Sequence, residues 1–217
     1  MGNKELLRRP ISARDTKWAA AVARWLGRIG LRPNQISMLS ILCAALAGAS
    51  LLFSGRMAGA RPAFLIGAAA FIQLRLLCNL FDGMVAVEGG FKTKSGEIYN
   101  ELPDRFSDAL IFVGAGYSIS ALAWGRELGW IAALLAVITA YVRALGGAAG
   151  AAQYFCGPMA KQQRMAVMTA ACVVAALMAA MNWTLPIIPL ALGIVVVGAV
   201  FTIFRRTILI MKDLESK

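Results

Sequence analysis

The chain has no histidine among its 217 residues. That excludes His-ligated zinc and the Ser-His-Asp and Cys-His catalytic arrangements. Acidic residues are scarce, 11 against 22 Lys and Arg, and charged residues make up only 15% of the chain, where soluble domains carry about a quarter. None of the four cysteines forms a CxxC pair. Cys43, Cys78, Cys156 and Cys172 all lie in apolar stretches, as packing thiols do. Acid–base or metal chemistry must therefore come from the 11 carboxylates. Six of them, Asp82, Glu88, Glu97, Glu101, Asp104 and Asp108, fall within residues 82–108, an eighth of the chain.

What is present in abundance is apolar sequence, at 59% hydrophobic residues and a mean hydropathy of +0.69. Runs of about 20 apolar residues are long enough to cross a bilayer as helices. Six such spans are predicted, at 35–54, 63–87, 104–124, 128–149, 164–182 and 187–209, separated by segments rich in Gly, Pro and charge. The runs are apolar on every face, which excludes a soluble bundle. No signal peptide is expected, because the first 34 residues are charged and precede any long apolar run. The expected fold class is an all-α polytopic membrane protein.

Lys and Arg set the expected orientation. Eight lie before the first span, and Lys92, Lys94, Arg105, Lys161, Arg164, Arg205, Arg206, Lys212 and Lys217 lie on the same predicted side, against Arg56, Arg61 and Arg126 opposite. Both termini and the acidic cluster are thus expected to be cytoplasmic, on the inner membrane if the source is bacterial. Within residues 1–34, Trp18, Val22, Trp25, Leu26 and Ile29 recur at helical spacing, with Lys17, Arg24 and Arg28 on another face. This predicts an amphipathic helix lying among lipid headgroups, before a transmembrane domain over 35–211 and a tail over 212–217. The basic residues form no strip with interleaved aromatics, so no nucleic-acid partner is expected. Gly146 and Gly150 make a small-xxx-small pair on the fourth span, suited to close packing or to dimerisation.

The acidic segment has a helical logic. Arg75, Asn79, Asp82 and Ala86 share one face of the second span; Glu97, Glu101, Asp104 and Asp108 share one face of the next, as do Asn100, Asp104 and Asp108. An antiparallel hairpin would set these carboxylates and carboxamides against one another. Such oxygen donors, without His or Cys, suit Mg²⁺ or Mn²⁺. The alternative is that the acids simply pair with Arg75, Arg105, Lys92 and Lys94.

The segment resembles the signature of the CDP-alcohol phosphatidyltransferase family. That signature reads Asp, two residues, Asp-Gly, two residues, Ala-Arg, eight residues, Gly, three residues, Asp, three residues, Asp. Here every spacing fits, and five of the eight identities match, at Asp82, Gly83, Ala86, Gly96 and Asp104. Arg32-Pro33-Asn34-Gln35-Ile36-Ser37 is similar to the family's amino-terminal Pro-Asn segment, so the likeness covers most of the chain. Three positions depart, with Asn79, Val87 and Asn100 where the signature has Asp, Arg and Asp.

The resemblance implies transfer of a phosphatidyl or phospho-alcohol group from CDP-diacylglycerol or another CDP-alcohol to an alcohol acceptor, with release of CMP. It implies divalent metal at the motif acids, Asp104 as general base, and a homodimer. Gly83, Ala86 and Gly96 would leave room for the nucleotide, although small residues serve packing equally well. The metal candidates are Asn79, Asp82, Asn100 and Asp104, with Asp108 and Glu101 compensating for the two lost carboxylates. On facing helices Asp108 would lie near Asn79, and Arg75 about 6 Å deeper, so Asp108 is expected either to ligate metal or to pair with Arg75. Lys161 and Arg164 look like the family's basic residues and could bind an acceptor phosphate or serve as positive-inside anchors. Arg143, inside a span, is expected to meet phosphate or the acidic cluster. Two other readings remain, a silent relative binding nucleotide or lipid without turnover, and a small transporter.

Overall fold

The computed structural model describes residues 16–88, 96–183 and 185–217, apart from the side chains of Glu88 and Glu97. The first fifteen residues and the connection bearing Lys92 and Lys94 lie outside the described residues. Among those described there are seven α-helices and no strand: α1 (Lys17–Arg28), α2 (Pro33–Ser54), α3 (Arg61–Glu88), α4 (Gly96–Tyr117), α5 (Gly125–Ala148), α6 (Lys161–Ala180) and α7 (Ile187–Glu215), with a 3₁₀ turn at Ala58–Ala60 before α3. Five stretches are long and apolar enough to cross a membrane: Pro33–Ser54, Ala58–Val87, Gly125–Ala148, Lys161–Ala180 and Ile187–Glu215. The chain is an integral membrane protein. The third predicted span is the one set apart, because α4 carries Glu97, Glu101, Asp104, Arg105 and Asp108 in its first thirteen residues.

The start of α2 shows how local sequence directs the fold. Pro33 occupies the first helical position, where its missing N–H costs nothing. The side chain of Gln35 turns back to accept the Arg32 N–H at 2.9 Å. That start carries Ser37 one turn inward, buried against α3. α1 rests its small side, Ala19 and Ala23, on the end of α3, where Trp18 meets Phe81 edge-on at 6.0 Å. Trp18, Trp25 and Ile29 stay more than half exposed.

Several boundaries differ from those predicted. The helix expected over 104–124 runs from Gly96 to Tyr117, and the residues before α5 form its connection. Ser118 ends the helix by returning its hydroxyl to the Ala115 carbonyl at 2.6 Å. Arg126 and Glu127 accordingly sit in the first turn of α5 rather than in a loop. The pair Gly146 and Gly150 is not one helical face. Gly146 packs on Ile210 of α7, while Gly150 lies beyond the end of α5 with φ +94°, the left-handed conformation that glycine adopts without strain.

Packing sets α2 against both α3 and α4, α5 against α4 and α7, and α6 against α3 and α7. Small residues allow the closest crossings. A Cβ on Gly116 of α4 would stand 2.7 Å from the Gly129 Cα of α5, a backbone atom that cannot swing aside. Gly116→Ala would gain at most about 1 kcal/mol of helix propensity against about 1–3 kcal/mol of overpacking. The variant is therefore expected to unfold at lower temperature in detergent micelles; an unchanged or raised Tm would contradict this crossing.

The hairpin meets through a cation rather than by carboxylates set against one another. The backbones of α3 and α4 come close at few points, and the two helices join through Arg75, which reaches Asp104 and Asp108. They are bridged by α2, and the space between their charged ends is filled by side chains from α3, α4 and α6. Like-charged faces cannot pack flush, so cations intervene.

Candidate functional site

Seen from the helices upward, the charged residues form a floor and a rim. The floor is Arg75 of α3, Asp108 of α4 and Arg164 of α6, respectively 0%, 1% and 2% exposed. Asp108 places one carboxylate oxygen 2.7 Å from Arg75 Nη2 and the other 2.7 Å from Arg164 Nη2. Between the two outcomes open for Asp108, pairing with Arg75 is the one present, extended by Arg164. Arg164 also donates to Thr139 Oγ1 at 2.9 Å and to the Met159 carbonyl at 3.0 Å. Thr139 in turn gives its carbonyl to Arg206 Nη1 at 2.6 Å, and Arg206 Nε reaches the Cys156 carbonyl at 2.9 Å. Arg206, counted from sequence among the cytoplasmic cations of the tail, is 5% exposed inside the bundle. Helix α7 continues to Glu215, beyond the predicted end at 209, and so carries this arginine inward of its last turns.

The rim is more open. Asp104 receives Arg75 Nη2 at 3.3 Å on one oxygen, and its other oxygen is bonded by Lys161 Nζ, with Arg105 Nη2 at 3.8 Å. Glu101 accepts Arg143 at 2.5 Å and Arg105 at 3.2 Å. Arg143 also lies over the Phe155 ring, 4.8 Å from its centroid, a cation–π contact. Of the two partners foreseen for Arg143, the acidic cluster is the one it meets.

Lys161 and Arg164 open α6 at its positive end, where the helix dipole disfavours cations. Their acidic partners on α4 supply the compensation, so these residues do more than anchor a membrane boundary.

Asp82 stands differently. It is 3% exposed, and Ser37 donates to its Oδ2 at 2.8 Å, while Oδ1 is buried with no hydrogen-bond partner. A buried carboxylate oxygen without a donor is a costly atom, and a cation is the partner that suits it. Asn79, one turn away, donates its amide nitrogen to the Arg75 carbonyl at 3.0 Å, which leaves the amide oxygen as its ligating atom. Asn100 is exposed, Gly83 and Ala86 are half-buried on the last turns of α3, and Gly96 begins α4. No group of three or more His, Cys, Asp or Glu with metal-site geometry occurs among the described residues. The chemistry of the donor set fits a divalent ion, with Asp82, Asp104 and the Asn79 amide oxygen as its donors.

Ser37, Thr139 and Arg206 were not anticipated. Ser37 lay inside the RPNQIS segment, yet nothing in its spacing pointed across to α3. A buried arginine near a helix end is indistinguishable in sequence from a positive-inside cation.

A helical membrane bundle with a cluster of charged residues drawn from α3, α4, α5 and α6, joined by Ser37 of α2, defines the class of protein. The CDP-alcohol phosphatidyltransferase model matches residues 31–206, and the chain belongs to that family. It is 31% identical over 134 residues to phosphatidylinositol phosphate synthase of Mycobacterium bovis, a match spanning 59% of this chain and 57% of that relative's length. The fold is similar to that of Mycobacterium tuberculosis phosphatidylinositol phosphate synthase with CDP-DAG bound, at TM-score 0.75 and 21% identity, covering 90% of this chain and 94% of that one. The same enzyme in complex with manganese and citrate also matches at TM-score 0.75 and 20% identity, covering 89% and 88%.

Proposed function

We propose that the chain transfers a phosphatidyl group from CDP-diacylglycerol, or a phospho-alcohol group from another CDP-alcohol, to an alcohol acceptor, releasing CMP. The observation that carries this reading is Asp82 at the end of α3, whose buried Oδ1 has no hydrogen-bond donor, together with the cation-lined Asp104 of α4. Family membership and the CDP-DAG held by a relative of the same fold support the donor.

In the proposed reaction the acceptor hydroxyl oxygen bonds to the phosphorus nearer the lipid, and the bond from that phosphorus to the CMP oxygen breaks. CMP leaves with the electron pair, and a carboxylate oxygen of Asp104 takes the hydroxyl proton. Lys161 and Arg143, both on the accessible rim, neutralise donor and acceptor phosphates, aided by the amino-terminal end of α6. Gly83, Ala86 and Gly96 border the nucleotide. Asp82, Asp104 and the Asn79 amide oxygen would hold one Mg²⁺ or Mn²⁺. When bound, that ion supplies neutralisation of charge developing on the leaving phosphate. Arg164 and Asp108 support the rim from below and take no part as ligands.

The reading extends to the membrane. α4 is the third of six spans, since its apolar second half packs between α2 and α5 and its 22 residues measure about 33 Å. The exposed Trp18 and Trp25 on α1 suit the headgroup layer, and the Lys and Arg asymmetry puts the cleft and both termini in the cytoplasm. The protein works as a homodimer among membrane lipids. A second reading, a relative that binds nucleotide or lipid without turnover, is favoured by the neutral residues at Asn79 and Asn100.

The test is CMP release by the purified full chain from CDP-diacylglycerol with Mg²⁺ or Mn²⁺ and a panel of alcohols and phosphorylated alcohols. Release with one acceptor, lost in Asp104→Asn, is expected. Donor binding with no CMP from any acceptor would establish the silent reading, and full turnover by Asp104→Asn would remove the base assignment.

A further inference from the structure

We propose that Lys161 is a resident cation of the cleft, holding at Asp104 a place for which a divalent ion would otherwise compete. The chain then works on its phosphate-bearing donor with no more than one divalent ion. The inference rests on the function proposed above and specifies its cation requirement.

The first argument is charge. Arg75, Arg105, Arg143, Lys161 and Arg164 contact Glu101, Asp104 and Asp108, and Asp82 adds a fourth carboxylate beside them. The cluster thus carries an excess of one positive charge before any ion or substrate arrives. The pyrophosphate of a CDP-alcohol diester brings two negative charges. One dication leaves the filled cleft near balance, whereas two would leave a strong positive excess in a buried setting where like charges repel steeply.

The second argument is valence. Both oxygens of Asp108 are held by arginines, and those of Asp104 face Arg75 and Lys161, so Asp104 can share an oxygen with one ion and has none left for a second. Among the described residues, Asp82 Oδ1 is the only buried carboxylate oxygen without a partner. The third is position. Lys161 opens α6, and its ammonium bonds Asp104 on the oxygen opposite the one that faces Arg75. With three N–H donors, that ammonium can bridge Asp104 and a phosphate oxygen, as a bound ion would.

The test counts Mn²⁺ on the purified full chain in detergent micelles, from the paramagnetic resonance signal of free Mn²⁺. Wild type is expected to bind one ion at most, and Lys161→Gln to bind it at least about tenfold more tightly. Asn79→Asp/Asn100→Asp is expected to stay at one ion while Lys161 is present and to bind two once Lys161→Gln is added. Two ions on the wild type would overturn the proposal, as would equal counts on the two reconstituted variants. Because counting needs no donor, absence of CDP-diacylglycerol binding would defeat the proposed function while the ion count still decides the role of Lys161.

Discussion

Asp108→Asn is expected to destabilise the protein by about 3–5 kcal/mol, the usual cost of breaking a buried pair and leaving its partners charged. The loss is large because one carboxylate serves two guanidiniums, Arg75 and Arg164, both essentially inaccessible. At roughly 2–4 °C per kcal/mol for a chain of this size, the melting temperature in micelles should fall by about 6–20 °C. A shift of less than about 2 °C would show that the triad bears little of the fold. The converse substitution separates charge from packing. Changing all three residues to apolar ones of similar volume, Arg75→Met/Asp108→Leu/Arg164→Met, removes the uncompensated charges and should recover much of the loss. Mn²⁺ affinity should not change in Asp108→Asn, because both oxygens of Asp108 are already engaged by arginines. A weakened affinity without a change in fold would restore Asp108 to the ligand set.

Asp82→Asn should act oppositely, on turnover and hardly on stability. Its side-chain hydrogen bond comes from Ser37, worth about 1 kcal/mol, and an asparagine can keep that bond through its amide oxygen. What disappears is the negative charge facing the cleft. Several kcal/mol of charge stabilisation in the transition state would go with it, so CMP release should fall about 100-fold or more. Retention of more than about a tenth of the activity would mean that Asp82 does not hold an ion during turnover. A parallel Ser37→Ala variant should lose less, since it misorients the carboxylate without removing it.

Much of this architecture is legible in the sequence because hydropathy and the helical repeat are local signals. The apolar runs located the membrane helices, and the i, i+4, i+7 spacing put Asp82 on one face and Asp104 and Asp108 on another. Proximity across the bundle was less legible. Equal helical rise left Asp108 either to metal near Asn79 or to the deeper Arg75, and the structure shows the Arg75 pair but also brings in Arg164, 56 residues further on. No spacing rule encodes that third partner. The same holds for Ser37, 45 residues from the aspartate it serves. Arg206 was misplaced for a different reason. Positive-inside reasoning counts charges near span ends, and it cannot tell a cation that meets water from one that folds back onto a carbonyl.

The floor network also bears on how the protein is made. Arg75, Asp108, Thr139, Arg164 and Arg206 belong to five successive helices, α3 to α7, and each finds its partners on another helix. Arg75 leaves the ribosome before Asp108 exists, and Arg164 before Arg206. On insertion scales a charge such as Arg75 costs about 2.5–3.5 kcal/mol at a helix centre, and the carboxylate that offsets it comes only with α4. Biogenesis must therefore keep α3 and α4 beside one another, shielded from lipid tails, until α6 brings Arg164 to the second oxygen of Asp108. A nascent chain halted before residue 164 would hold a half-tied triad, which makes α6 the helix on which assembly turns.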